Sequence, residues 1–276
     1  MIDQDSEDIR AWNGIAPGYD RTNTPTQMWL ANEGLRRSGL RTSMRFLDVA
    51  AGSGALSIPA ARLGAHVLAV DQSARMLELL AARARNEGLS IETRVMDGHA
   101  LELADGSFDM AGSQFGVMLF PDMPKGIREM SRVVKPDGRV LMTVYGDPRK
   151  IDFLGFLIGA VQSVRTSFTG PPMHPPPLPF QLQDPNTLRE QLAAAGLKAV
   201  HVETITETTE FRTGQELWDW LVFSNPIVET VLGSLSLTHN ERGAVQQALD
   251  RMLRERAGGP GAAKLTNPIN IGIGEK

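Results

Sequence analysis

Short apolar runs alternate with helix-period segments through the first half of this chain. Arg45–Ala50, His66–Asp71, Ile91–Met96, Phe108–Ser113 and Arg139–Tyr145 are strand-length runs bounded by charged or turn residues. Phe46, Leu47 and Val49 in the first of them read as a buried strand. Between the runs, Leu56–Leu63, Ala74–Glu87 and Met123–Val134 read as helices. Asn86-Glu87-Gly88 closes the second helix with a glycine stop signal, and Lys135-Pro136-Asp137-Gly138 reads as a turn. This alternation predicts an α/β fold, a doubly wound and mostly parallel sheet whose ligands sit at the carboxyl ends of the strands.

Both flanks break the rhythm. Residues 1 to about 40 read as helical, with Trp12, Ile15 and Tyr19 at helical spacing and an interruption at Pro17-Gly18. Ile151–Val164 is apolar and helical, and GPPMHPPPLPF (Gly170–Phe180) follows. That proline run is neither helix nor central strand. It reads as a rim loop over the site, with a linker or an SH3-type ligand as the alternatives. Asp184-Pro185-Asn186 opens a helix to about Ala195, and Lys198–Thr206 is the sixth strand. Three helices, Gln215–Ser224, Ile227–Leu235 and Asn240–Arg256, precede a last apolar run, Thr266–Ile273. The expected organisation is a lid (1–40), a core (41–145), an insertion with the proline loop (146–184), more core (185–210), a helical insertion (211–262) and a final strand (263–276). Lid and insertions together make a helical cap over one core.

Composition narrows the partners. A net charge of −4 over 276 residues argues against a nucleic-acid binder, whose footprint is basic. No apolar span suggests a membrane helix. The acidic start MIDQDSEDIR is unlike a signal peptide, so a cytoplasmic location is expected. With no cysteine there is no disulfide, thiolate metal site or cysteine nucleophile, and no metal-ligand cluster stands out.

The chemistry concentrates in RFLDVAAGSGAL (Arg45–Leu56) and Asp71. Ala51-Gly52-Ser53-Gly54 turns from strand to helix with small residues, so a ligand approaches the backbone closely and meets free N–H groups. A carboxylate at the tip of the second strand suits the two hydroxyls of an adenosine ribose. Two cofactor types compete for such a site. A dinucleotide fingerprint wants a third small residue where Ser57 stands. Asp48 would repel a pyrophosphate, yet it can orient the loop or hold an ammonium group. A cofactor with an amino-acid end is favoured, and a nicotinamide-dependent oxidoreductase is the second reading.

LDVAAGSGALSIPAA resembles motif I of the class I S-adenosylmethionine (SAM)-dependent methyltransferases. That motif is an acid followed by three small residues at alternate positions, here Ala50, Gly52 and Gly54, with alanine where glycine is usual. The similarity continues through MDGHALELADGSFD, SQFGVMLFPD and REMSRVVKPDGRV, and covers about Trp12–Tyr145. It implies a Rossmann-like seven-stranded sheet with an antiparallel last strand. It also implies SAM as cofactor, S-adenosylhomocysteine as product and a small-molecule acceptor, as in quinone biosynthesis and bacterial secondary metabolism. The resemblance assigns Tyr19 to the methionine end of the cofactor and Asp48, Ala50, Ala51, Gly52 and Gly54 to its loop. Asp71 takes the ribose, flanked by Gln72 and Met76. Asp97 takes the adenine amino group, with Gly98 and His99 beside the ring. Ser113 and Gln114 approach the methionine end. Phe115 and Met118 face the acceptor.

Methyl transfer from a sulfonium is an in-line displacement that needs placement and exclusion of water, and a base only where the acceptor must first lose a proton. His99 and His174 are the candidate bases. His99 stands where the family usually has Glu or Gln beside adenine, and His174 lies in the proline loop, where an exposed histidine is the ordinary case. Trp218, Trp220 and Phe223 sit on a cap helix, either as core or, for Trp218, as a wall for a flat acceptor. Where many methyltransferases of nucleobases and amide nitrogens carry an Asn/Asp-Pro-Pro-Tyr/Phe signal, this chain reads SQFG. A protein acceptor remains the alternative. Cap segments of this kind often pair subunits, which makes a homodimer the assembly to test.

Overall fold

A computed structural model describes residues 6–171, 174–224, 228, 232–259 and 261–276. Its strands are β1 (Arg45–Val49), β2 (His66–Asp71), β3 (Ile91–Val95), β4 (Phe108–Gln114), β5 (Val134–Tyr145), β6 (Lys198–Phe211) and β7 (Ala263–Glu275). They form one sheet in the order β3-β2-β1-β4-β5-β7-β6. The first five pair in parallel, and β7 runs antiparallel to both β5 and β6. Pairing of Val49 with Val70 sets the carboxyl ends of β1 and β2 side by side, so the turn after β1 and Asp71 meet.

The helices are α1 (Glu7–Ser38), α2 (Ser57–Arg62), α3 (Ala74–Asn86), α4 (Met123–Val133), α5 (Asp152–Gln162), α6 (Pro185–Ala194), α7 (Gly214–Ser224) and α8 (His239–Ala257). None of the described helices is long and apolar enough to cross a membrane. One hydrophobic core lies about the sheet and includes Leu30 and Leu35 of α1. A second joins α5, α7 and α8 to the outer ends of β6 and β7.

Three expectations from the sequence are corrected here. First, α1 is unbroken through Pro17-Gly18, although both Pro17 and Pro25 lie inside it. Tertiary packing outweighs the local cost of proline. A Cβ on Gly18 would lie 2.3 Å from the Phe223 ring, so the glycine lets α7 press against α1. Second, Lys135–Gly138 is absorbed into β5 as a bulge. The register jumps from Phe108↔Val134 to Met110↔Arg139, and Asp137 takes a φ of 63°. Third, β6 runs on to Phe211, because its antiparallel ladder with β7 continues as far as Ala263. The expected helix Ile227–Leu235 falls mainly outside the described residues, as do Pro172 and Met173 of the proline run.

The N-terminal half of α1 lies over the carboxyl ends of the strands and is tied down by polar contacts. Ser73 Oγ hydrogen-bonds Asn13 Oδ1 at 2.6 Å, Arg83 pairs with Asp20 at 2.7 Å, and the Thr24 and Ser53 hydroxyls lie 2.5 Å apart.

Candidate active site

The loop after β1 is held by unusual backbone conformations. Ala50, Gly52 and Gly54 all have positive φ (57°, 53° and 98°). The two glycines serve different ends. A Cβ on Gly54 would come within 2.8 Å of Leu80 Cγ, so Gly54 lets the loop settle on α3 and faces away from the cavity. A Cβ on Gly52 would find only Tyr19, at 3.9 Å, so its bare face opens into the cavity beneath α1.

Two carboxylates flank this loop. Asp71 Oδ2 accepts the Gly52 N–H and Oδ1 accepts the Ser73 N–H, each at 2.8 Å. Burial raises the Asp71 carboxyl above its ordinary range, against the pull of these two bonds. Asp48 is fully buried at the end of β1 and accepts the Ser57 hydroxyl at 2.6 Å. Burial, aided by the nearby Asp71 charge, pushes Asp48 up to about 7 despite the Ser57 bond.

The cavity measures about 250 Å³. Asp48, Ala50, Ala51 and Gly52 form its floor, Asp71, Gln72 and Met76 one wall, and Gly98 and His99 the next. Tyr19 and Trp12 close it from α1, and Gln114 and Phe115 close its inner end. Tyr19 donates to Gln27 Oε1 at 3.0 Å, and burial drives its phenol well above the ordinary value. Gln114 Nε2 donates to the Gln27 carbonyl at 3.2 Å, while its buried Oε1 has no partner in the protein. A buried acceptor of this kind is costly unless a ligand supplies the donor.

Asp97 and Ser113 stand behind the cavity surface, like Gly54. Asp97 Oδ1 is taken by the His99 N–H (2.9 Å), His99 Nδ1 (2.8 Å) and Gln72 Nε2 (3.0 Å). Burial alone would raise its carboxyl, but these bonds outweigh burial and hold it below the usual range. Ser113 Oγ donates to the Val49 carbonyl at 2.8 Å and accepts the Val117 N–H at 3.0 Å, stapling β4 to the end of β1. The His99 ring packs on Phe120, with centroids 4.3 Å apart.

Phe115 is the pivot of the site. It is a bulky residue with φ of 57°, a conformation that costs a non-glycine residue about 1–2 kcal/mol. Its N–H is held by the Thr143 carbonyl at 2.9 Å, and its ring stacks on Tyr145 at 4.4 Å and 20°. Phe115 thereby forms a shared wall with a second cavity of about 120 Å³. Met118, Tyr145, Phe153, Leu157 and Phe180 line that space. Trp218 lines neither cavity, because its side of α7 is packed into the second hydrophobic core. His174 is exposed and also lines neither. Gln27, Phe120 and Tyr145 were not singled out from sequence. Only Tyr145, at the carboxyl end of a strand, carried a positional signal.

Residues 47–142 match a family model described as a methyltransferase domain. Over 103 residues the chain is 40% identical to an uncharacterized protein of Mycobacterium tuberculosis, covering 37% of this chain and 38% of that one. It is 34% identical over 140 residues to the demethylmenaquinone methyltransferase of Clavibacter sepedonicus, covering 49% of this chain and 56% of the relative. The matched region thus spans about two-fifths to just over half of these curated relatives. Phosphoethanolamine N-methyltransferase 2 of Haemonchus contortus, solved in complex with SAM, shares the fold. Its TM-score is 0.53 at 22% identity, over 90% of this chain and 52% of that one.

Proposed function

We propose that residues 47–142, which match a methyltransferase domain, are of the class I SAM-dependent kind, and that this chain transfers the methyl group of SAM to a small molecule held in the second cavity. The observation that carries the reading is the polar inventory of the first cavity. Asp48 and Asp71 flank a small-residue loop, and Gln114 Oε1 waits at the inner end for a donor. That set suits a ligand with a ribose, an ammonium group and a positive sulfur. It is poorly suited to a pyrophosphate, which two nearby carboxylates would repel.

In this reading Asp71 holds the ribose hydroxyls, with its two backbone bonds fixing the carboxylate. Asp48, Gln114 and Tyr19 face the methionine end, and Gln72, Met76, Gly98 and His99 surround the adenine. Asp97, behind the cavity surface, orients His99 and Gln72 and acts on the adenine through them. His99 sits on the adenine side with Nδ1 committed to Asp97, so we assign it to cofactor binding rather than to proton removal. Catalysis then rests on placement. Phe115 and Tyr19 separate cofactor from acceptor space, and α1 keeps water from the methyl group.

Calorimetry with S-adenosylhomocysteine and NADH tests the reading. Binding of S-adenosylhomocysteine alone is expected. Equal or tighter binding of NADH would replace the methyltransferase with the oxidoreductase.

A further inference from the structure

Building on that functional reading, we propose that the acceptor is a neutral, planar, conjugated molecule bound in the cavity between Phe115 and α5. Its lining among the described residues contains no Asp, Glu, Lys, Arg or His. A carboxylate, phosphate or ammonium group entering it would give up its water with no opposite charge in return. The first cavity, on the other side of Phe115, is lined by the carboxylates of Asp8, Asp48 and Asp71, so the contrast lies within a single cleft.

The shape of the walls supplies the second half of the argument. Tyr145 gathers three other rings around itself. Phe115 lies parallel to it at 4.4 Å, Phe153 edge-on at 5.7 Å, and Phe180 tilted at 6.1 Å. Flat faces and ring edges favour a flat conjugated guest over a saturated one. The strained φ of Phe115 fits this role, since a left-handed backbone presents the ring to both cavities. Among the described residues the polar side chains of the wall are Gln27, Ser224, the Trp12 indole and the two tyrosine hydroxyls. They suit one hydroxyl or carbonyl on the guest.

The described lining residues also include no base. Both phenols stay protonated, because burial drives them above their ordinary range. The step is accordingly simple. A lone pair of the acceptor oxygen or nitrogen forms the new bond to the methyl carbon. The carbon–sulfur bond breaks with its electron pair going to sulfur, which becomes a neutral thioether, and the proton of the acceptor group leaves to water.

Three probes of matched size test the proposal in the presence of saturating S-adenosylhomocysteine: 2-naphthol, its saturated analogue decahydro-2-naphthol, and the anion 2-naphthoate. The expected dissociation constant for 2-naphthol is at least tenfold below those of the other two, with the preference lost in Phe115→Ala. Leu154→Arg places a cation beside the cavity and should raise 2-naphthoate affinity at least tenfold, a gain that a misfolded variant cannot mimic. Equal or tighter binding of 2-naphthoate or of the saturated alcohol to the unmodified protein overturns the proposal. So does the absence of any naphthol binding while S-adenosylhomocysteine binds. If naphthol binds selectively and S-adenosylhomocysteine does not bind at all, the functional reading falls and the ligand class of this cavity stands.

Discussion

The two cavities that meet at Phe115 are built on opposite principles. The polar floor and walls of the first come from one contiguous stretch and its neighbours, the β1 loop, the tip of β2 and the turn after β3, placed by parallel register, with α1 and the end of β4 closing it. Its polar groups are fixed by backbone N–H bonds, as at Asp71, or by buried hydroxyls, as at Asp48. The second is made by side chains from α1, the end of β5, α5, the proline-rich segment and α7, which are far apart in sequence. Local geometry makes a site for a ligand of fixed shape, and assembled apolar walls make one whose occupant differs between proteins sharing the fold. The contrast can be broken at four points.

The largest expected effect is at the ribose. Asp71→Ala should lower S-adenosylhomocysteine affinity about 10- to 100-fold, since hydrogen bonds to a charged group contribute about 1.5–3 kcal/mol. Calorimetry reads this, and unchanged affinity would mean that the ribose is held elsewhere. Gly54→Ala comes next. Its Cβ would press within 2.8 Å of Leu80 at a φ of 98°, so a stability loss of about 2 kcal/mol is expected in denaturant melts. A neutral result would mean that the loop is free to move off α3.

Behind the second cavity, Glu207 is buried and bonded by Asn267 Nδ2 at 3.2 Å, and burial pushes its carboxyl up to about 7 despite that bond. A carboxyl whose folded value lies above its unfolded one destabilises the fold increasingly as pH rises from about 4.5 to about 7, then by a constant amount. Glu207→Gln should therefore add about 1–2 kcal/mol at pH 8 and almost nothing at pH 4.5. Thermal melts at the two pH values check the sign. The smallest effect belongs to Asp48. Near neutrality it is partly protonated, and a cationic ligand favours its ionised form. Affinity for SAM should rise less than tenfold from pH 6 to pH 8 and stay flat in Asp48→Asn. A flat profile in the unmodified protein would place the ammonium away from Asp48.

The same contrast explains what the sequence revealed. Gly52, Asp48 and Asp71 were legible because spacing along one strand–turn–helix–strand unit fixes their neighbours. Asp97 and Ser113 belong to the right elements, but their side chains turn to His99 and Val49 rather than to the cavity. Tyr145 and Gln27 were not legible as wall residues, because their role depends on how α1 and α5 fold back over the sheet. Pro17-Gly18 misled for a related reason: its glycine answers to Phe223, some two hundred positions away. His174 and Trp218 were named for chemistry and aromatic surface, and neither property determines which way a side chain points.

The most direct test of the account follows methyl-labelled SAM incubated with the protein and an extract of its host, fractionated by size and charge. The account predicts label in a small, uncharged, conjugated compound. Label in protein, in nucleic acid or in a charged small molecule would contradict it.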